Sequence, residues 1–481
     1  MKEKTANGLA KVFVFLFSLP FALVGLFTGF LFLRLVLVGS SDVKQYILFG
    51  IFSLVFGGVG LGLMFACFFG FKILKEEKKL QDQFPLEPWK WKKKWISGKI
   101  EGQTKAAMIG TWIFATFWNL ISFPVLWVIP EEIIKKSNYL ALIGLIFPMI
   151  GLGLIGMASY LTVRWKKFGK TFFNMNTFPG VIGGKLQGEI LVNKNLMAVQ
   201  KSKLRLLCIH KTVSRSGKDS HSREDILWEE EMEIPREQLT YLAEKTGIPV
   251  DFSIPFSCKQ TDFTIQDNQI IWRLEVGADL IGVDFKTAFE IPVFKTEESN
   301  HQITNEVLAK NYITQMLPPL FSGIEIKPFL MGGKEVFFQP ARHLGVALGL
   351  TLFFVIWVGF IVLMIHKKIP FMFPMVFGLF AILIGIFILE LWFGTTRLIF
   401  QPNEVLVQNG YLGGGPKKRV LYDEISKVQT KRGMQSGRTL YYDLEIIRKN
   451  GKKISAGRNI KEKSKAAWLV NQMQNWIKNR G

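Results

Sequence analysis

The sequence predicts an α-helical membrane protein with six transmembrane helices in three hairpins. An antiparallel β-sandwich is inserted between the fourth and fifth helices, and a β-barrel plus helix follows the sixth. Three observations predict this. Six apolar blocks each reach the roughly 20 residues needed to cross a bilayer. Residues 164–343 break into short alternating runs rich in Val, Ile, Phe and Trp, separated by Gly, Pro, Asn, Ser and Asp. The last 87 residues repeat that pattern and then switch to a helical period. Composition agrees, since 49% hydrophobic residues and 43 phenylalanines exceed what a soluble chain carries.

The blocks cover about 12–37, 46–71, 106–129, 139–163, 344–366 and 371–393. A signal peptide is the alternative for the first, because "MKEK" precedes it, but its apolar run far exceeds the ~7–15 residues of a signal core. A retained helix is therefore predicted. Small residues at spacing four, Gly25 with Gly29 and Gly58 with Gly62, predict close approach of neighbouring helices. Apart from Arg34 and Glu390 near helix ends, the blocks hold no Asp, Glu, Lys or Arg. Ion-coupled transport usually keeps such charges along its path, so this composition argues against it.

The net charge of +22 is unevenly spread. Residues 1–163 carry 17 Lys+Arg against 9 Asp+Glu, residues 164–343 carry 23 against 22, and residues 395–481 carry 18 against 6. Basic residues gather at the N-terminus, in the loop 72–105 and after the fourth helix at Arg164, Lys166 and Lys167, whereas the loops at 38–45 and 130–138 are near neutral. The positive-inside rule then places both termini and both β domains in the cytoplasm. Lys367 and Lys368 in the last outer turn run against that bias. Cys67, Cys208 and Cys258 are too scattered for a disulfide framework or a metal site, which suits a reducing compartment.

Within 164–343, "GEILVN", "LRLLCIHKTV", "DILWEEEMEIP", "VDFSIPF", "NQIIWRLEVGAD" and "VDFKTAFEIPVF" predict the sandwich strands, with "REQLTYLAE" as a helix-like insert. "GIEIKPF" and "KEVFFQP" extend the domain to the fifth helix. From 395 to 481, strands at "TTRLIFQPNEVLVQNGYLG", "KKRVLYDEISKVQTKR" and "LYYDLEIIRKNGKKISAG" precede a helix over about 460–478. Strands closed by one amphipathic helix have the outline of a pleckstrin-homology-like barrel.

The segments "EPWKWKKKWISGKI", "DFKTAFEIPVF", "PARHLGVALGLTLFFVIW", "LWFGTTRL" and "GMQSGRTLYYDLEI" resemble, in order, a family of uncharacterised bacterial inner-membrane proteins. Its marks are a Pro-Trp-x-Trp loop motif, an Ala-Arg-Asn/His-x-Gly entry to a later helix pair and a Gly-Met-Gln run. "GVDFKTAFEIPVF" also resembles arrestin-like sandwiches. The resemblance implies architecture and location and brings no activity.

Other motifs have plain readings. "GLGLIG" at Gly151–Gly156 matches a dinucleotide-binding pattern but lies inside an apolar span without the required strand and acidic partner. His210, His221, His301, His343 and His366 stand at no metal-ligand spacing. Glu229, Glu231 and Glu233 of "WEEEMEIP" share one strand face, most simply a solvated one. No catalytic, cofactor-binding or metal-ligating residue is nominated, and a non-enzymatic role is expected.

Two basic sets are candidate sites. In the loop, Trp89, Trp91 and Trp95 with Lys92, Lys93 and Lys94 could hold a single-stranded nucleic acid or sit at a membrane interface. No domain there supports a nucleic-acid groove, so an interfacial anchor is expected. In the C-terminal domain, Lys417, Lys418, Arg419, Lys431, Arg432 and Arg438 are candidates for anionic headgroup or partner contact, with simple solubilisation as an equal reading. The function expected is a membrane-anchored binding, scaffolding or regulatory protein that takes a protein partner through the sandwich. The alternative is a transporter, channel or lipid-handling protein with regulatory domains.

Overall fold

A computed structural model describes residues 2–39, 43–137, 139–196, 199–216, 219–243, 245–265, 267–304, 323–329 and 333–479. The chain forms two compact units, one of Met1–Arg223 with Leu227–Thr304 and the other of Glu224–Ile226 with Asn305–Gly481. Among the described residues, six helical segments are long and apolar enough to cross a membrane: Phe15–Val38, Gln45–Gln83, Thr104–Lys136, Ala141–Phe168, Leu344–His366 and Met372–Phe393.

The first unit begins with helices α1 (Lys2–Val38) and α2 (Val43–Gln83). Their contact needs glycine: a Cβ added at Gly25 would lie 2.3 Å from the Gly57 Cα, and one at Gly60 would lie 2.3 Å from the Ala22 nitrogen. With no side chains between them the backbones approach closely enough for Ser53 Oγ to donate to the Gly25 carbonyl at 2.9 Å. The expected pair Gly58 and Gly62 does not make this contact, since a Cβ at either meets nothing within 4 Å. Spacing alone does not fix which helix face meets the partner.

The short strand β1 (Lys99–Glu101) leads into helices α3 (Thr104–Ser122), α4 (Val125–Lys136) and α5 (Ile146–Phe168). The block expected at 106–129 is therefore interrupted, with Phe123 and Pro124 between two helices. Helices α3 and α5 are tied by polar contacts on an apolar pair: Trp112 Nε1 donates to Thr162 Oγ1 at 2.8 Å, and Asn119 Nδ2 to the Gly151 carbonyl at 3.1 Å. Gly151, first glycine of the apparent nucleotide motif, is thus a packing residue, where a Cβ would fall 2.2 Å from Asn119 Oδ1.

Strands β2 (Thr171–Met175), β3 (Gly180–Val181), β4 (Gly184–Val192), β5 (Lys201–Ser216), β6 (Asp219–Pro235), β7 (Thr240–Leu242), β8 (Lys245–Ile254), β9 (Asp262–Ile265), β10 (Asn268–Ala278), β11 (Phe285–Ile291) and β12 (Val293–Phe294) follow. One sheet runs β1-β2-β4-β8-β7, and a second runs β11-β10-β5-β6 with β9 on β10. Alternation puts every second residue inward. Phe173, Ile190 and Val250 from the first sheet and Leu206, Trp272 and Phe289 from the second bury in one shared core. This is the sandwich, with β1 from the helix loop as an unforeseen edge strand. The insert "REQLTYLAE" is a single 3-10 turn, Arg236–Gln238, and the strand β7 rather than a helix.

The second unit holds β13 (Ile324–Pro328), β14 (Lys334–Phe338), helices α6 (Leu344–His366) and α7 (Met372–Phe393), strands β15 (Gly394–Phe400), β16 (Glu404–Tyr411), β17 (Lys417–Leu421), β18 (Ile425–Ser436), β19 (Thr439–Arg448) and β20 (Lys453–Ile460), and helix α8 (Lys463–Lys478). The sequence assigned 324–338 to the sandwich. Instead β14 pairs antiparallel with β15, Val336 opposite Leu398, so the α6–α7 hairpin is inserted into a five-stranded sheet, β13-β14-β15-β16-β17. Strands β18-β19-β20 form a separate sheet, and the expected barrel is not closed. Helix α8 buries Ala466, Leu469 and Met473, and its Trp476 meets Phe400 edge-on at 5.2 Å.

Candidate functional site

The loop 84–98 is built against the sandwich. Gly98, at φ +64°, turns the chain into β1, whose residue Ile100 pairs with Phe173 of β2. That pairing draws Trp95 between the sheets, where its exposure is 0%. Its Nε1 donates to the Glu290 carbonyl at 3.0 Å, and its ring meets Phe263 at 5.7 Å. Trp91 donates to the Phe84 carbonyl at 2.7 Å and meets Phe263 edge-on at 5.9 Å, while Trp89 tilts against Phe294 at 5.7 Å. Trp95 therefore leaves no ring for the headgroup layer the sequence suggested. A core between two sheets offers an indole more contact than an interface does.

The lysines divide in the same way. Lys92 and Lys94 both reach the Glu290 carboxylate at 2.9 Å, and Lys92 lies 4.6 Å from the Trp95 and Phe263 ring centres. Lys93 is exposed and only 3.7 Å from Glu76. Burial opposes charge on Glu290, but Lys92 and Lys94 outweigh it and hold the carboxyl below its ordinary range. Glu290 and Phe263 were not found from sequence because they lie about 170–200 positions beyond the loop they complete.

The acidic run of β6 is not a solvated face. Glu229 is 3% exposed and hydrogen-bonded to Arg205, which also approaches Glu275 at 3.6 Å and Glu231 at 3.7 Å. Burial would lower the Arg205 pKa, yet these carboxylates raise it above the ordinary value. Only Glu233, paired with Lys201 at 2.8 Å, is as exposed as expected.

In the second unit the six basic candidates are not brought together. Lys431 pairs with Glu445 across β18 and β19 at 3.0 Å, Arg432 stands opposite Tyr442 in the same ladder, and Arg438 lies in the turn between these strands. Lys418 and Arg419 of β17 instead line a groove of ≈ 490 Å³ with Arg448, Lys452, Lys453 and Ile454. Lys417 precedes them on the strand, exposed. Hydrogen bonds to and from the backbone fix the walls. Arg448 Nη2 donates to the Arg419 carbonyl at 2.7 Å, Lys449 N to the Glu424 carbonyl at 2.7 Å, and Lys452 N to Asn450 Oδ1 at 3.0 Å. The signal for the missing members was in "RKNGKK", a turn sequence flanked by basic residues.

Among the described residues, no group of three His, Cys, Asp or Glu side chains could hold a metal ion. His210 faces Asn268 Oδ1 at 2.5 Å and His343 the Asn459 carbonyl at 3.0 Å. Cys208 and Cys258 are buried.

No protein-family model matches the chain, and no curated protein does. Among solved structures it is similar to the sporulation control protein Spo0M from Bacillus subtilis at 11% identity and a TM-score of 0.19, over 65% of this chain and 98% of that one. At that score the likeness carries no argument about fold or role.

Proposed function

We propose that the chain is a non-enzymatic, membrane-anchored binding or scaffolding protein of the bacterial inner membrane, with both termini and both β domains in the cytoplasm. The sandwich is its partner-binding module. The observation that carries this reading is the burial of Trp95, from the loop between α2 and α3, inside the sandwich core. The same sandwich receives β1 directly before α3 and β2 directly after α5, where Phe168 meets Phe285 edge-on at 5.2 Å. A β domain tied at three places to apolar helices suits a rigid platform at a membrane surface better than a mobile tethered module. The second unit reads as pleckstrin-homology-like, supported by its two sheets and closing helix.

The partner reading is tested by photocrosslinking in native membranes from Lys185 and Asp251, an exposed pair on the first sheet, 3.2 Å apart. Discrete adducts that differ between these positions support it. Absence of any adduct, with the sandwich still protease-resistant, counts against it. Topology is tested by reporter fusions: those after residues 41, 134 and 368 should read outside and those at 98, 250 and 481 inside. An outside reading at 250 overturns the cytoplasmic placement.

A further inference from the structure

The groove between β17 and the β19–β20 turn has a charge arrangement that packing does not explain. Five of its six lining residues are cationic. Its carboxylates stand at the rim and at long range, Glu404 at 3.7 Å from Arg419 and Glu424 at 3.6 Å from Arg448. Lys418, Lys452 and Lys453 pair with no carboxylate among the described residues. Some cations elsewhere in this unit are matched at close range, as Lys431 is by Glu445 and Lys465 by Glu462.

The Arg448 guanidinium is tethered by its Nη2, and its buried Nε has no hydrogen-bond partner among the described residues. Gathering like charges around a concave surface costs energy that a bound anion would relieve. A tetrahedral oxyanion suits the mixture of donors, because a guanidinium fork and ammonium point charges can each take a separate oxygen. The lining contains no aromatic side chain, so a nucleobase would find nothing to stack on.

We infer that the groove formed by Lys418, Arg419, Arg448, Lys452 and Lys453 is a binding site for a phosphate-bearing ligand. Phospholipid headgroups and soluble phosphorylated compounds share this chemistry. The inference rests on the membrane-anchored reading only where the ligand is a lipid, and its readout is independent of the sandwich crosslinks.

The test uses the full chain in detergent, titrated separately with inorganic pyrophosphate and with dioctanoyl phosphatidic acid. At least one should bind saturably at one site per chain. K418Q/K452Q/K453Q should weaken it about tenfold or more, while K427Q/K431Q/K478Q, which removes the same charge outside the groove, should change it little. K418R/K452R/K453R, which keeps the charge, should retain binding and guards against a folding defect. Binding of the lipid alone assigns a headgroup, and binding of pyrophosphate assigns the phosphate group itself. No binding of either probe, or equal loss in both glutamine triples, overturns the site.

Discussion

Two lysine-rich stretches of similar composition meet opposite fates. Around Lys92–Lys94, Glu290 of a distant strand takes two of the three ammonium groups, and the tryptophan beside them completes a β core. Around Lys418 and Lys452–Lys453, the nearest carboxylates pair with the arginines and leave the lysines facing a groove. The first stretch is structural and the second is available to a ligand. What separates them is the residue that tertiary packing sets beside each lysine, which composition does not carry.

The largest effect should come from breaking the structural stretch. Trp95→Ala removes a fully buried indole and should destabilise the sandwich by about 3–5 kcal/mol, read as earlier protease cleavage within 171–294 on heating. An effect no larger than that of an exposed substitution would return Trp95 to the membrane interface.

Next is Glu290→Gln, which leaves the partly buried Lys92 and the exposed Lys94 without their carboxylate and should cost about 1–3 kcal/mol. The pH dependence has a definite sign. Because the folded-state pKa of Glu290 is depressed, its contribution is complete above the ordinary carboxyl value near 4.3 and is lost as pH falls through the lower folded value. Acid unfolding of the wild type should therefore lose part of its steepness below about pH 4.3 in the Gln variant, measured by tryptophan fluorescence.

The smallest effects test the exposed lysines of both stretches. Lys93→Ala and Lys418→Ala should each change stability by about 0.5 kcal/mol or less. The two then separate in phosphate titrations, where only Lys418→Ala should weaken binding. A stability loss at Lys418 matching that of Glu290→Gln would make the groove a structural feature and erase the contrast.

The helices and most strands were legible because each rests on a local period. Apolar runs of about 20 residues mark a span, and alternation marks a half-buried strand. The errors share a cause. Ile324–Phe338 alternates equally well for either sheet, and only its ladder with Gly394–Phe400 assigns it. Glu229 has the pattern of a solvated face until the adjacency of β5 and β6 sets Arg205 beside it, with Glu275 opposite Arg205 on β10.

By itself, the sequence determined the number of apolar segments, the two β regions and the charge bias, because these depend on neighbours within one turn or one strand. Tertiary structure alone decided that Trp95 lies in a core, that Glu290 answers Lys92 and Lys94, and that Lys418 shares a groove with Lys452 and Lys453. These contacts join residues from about 35 to 200 positions apart. Whether a lysine meets a carboxylate, a ring or open solvent is fixed by how strands pair and loops pack on them, which places residues side by side regardless of their distance along the chain.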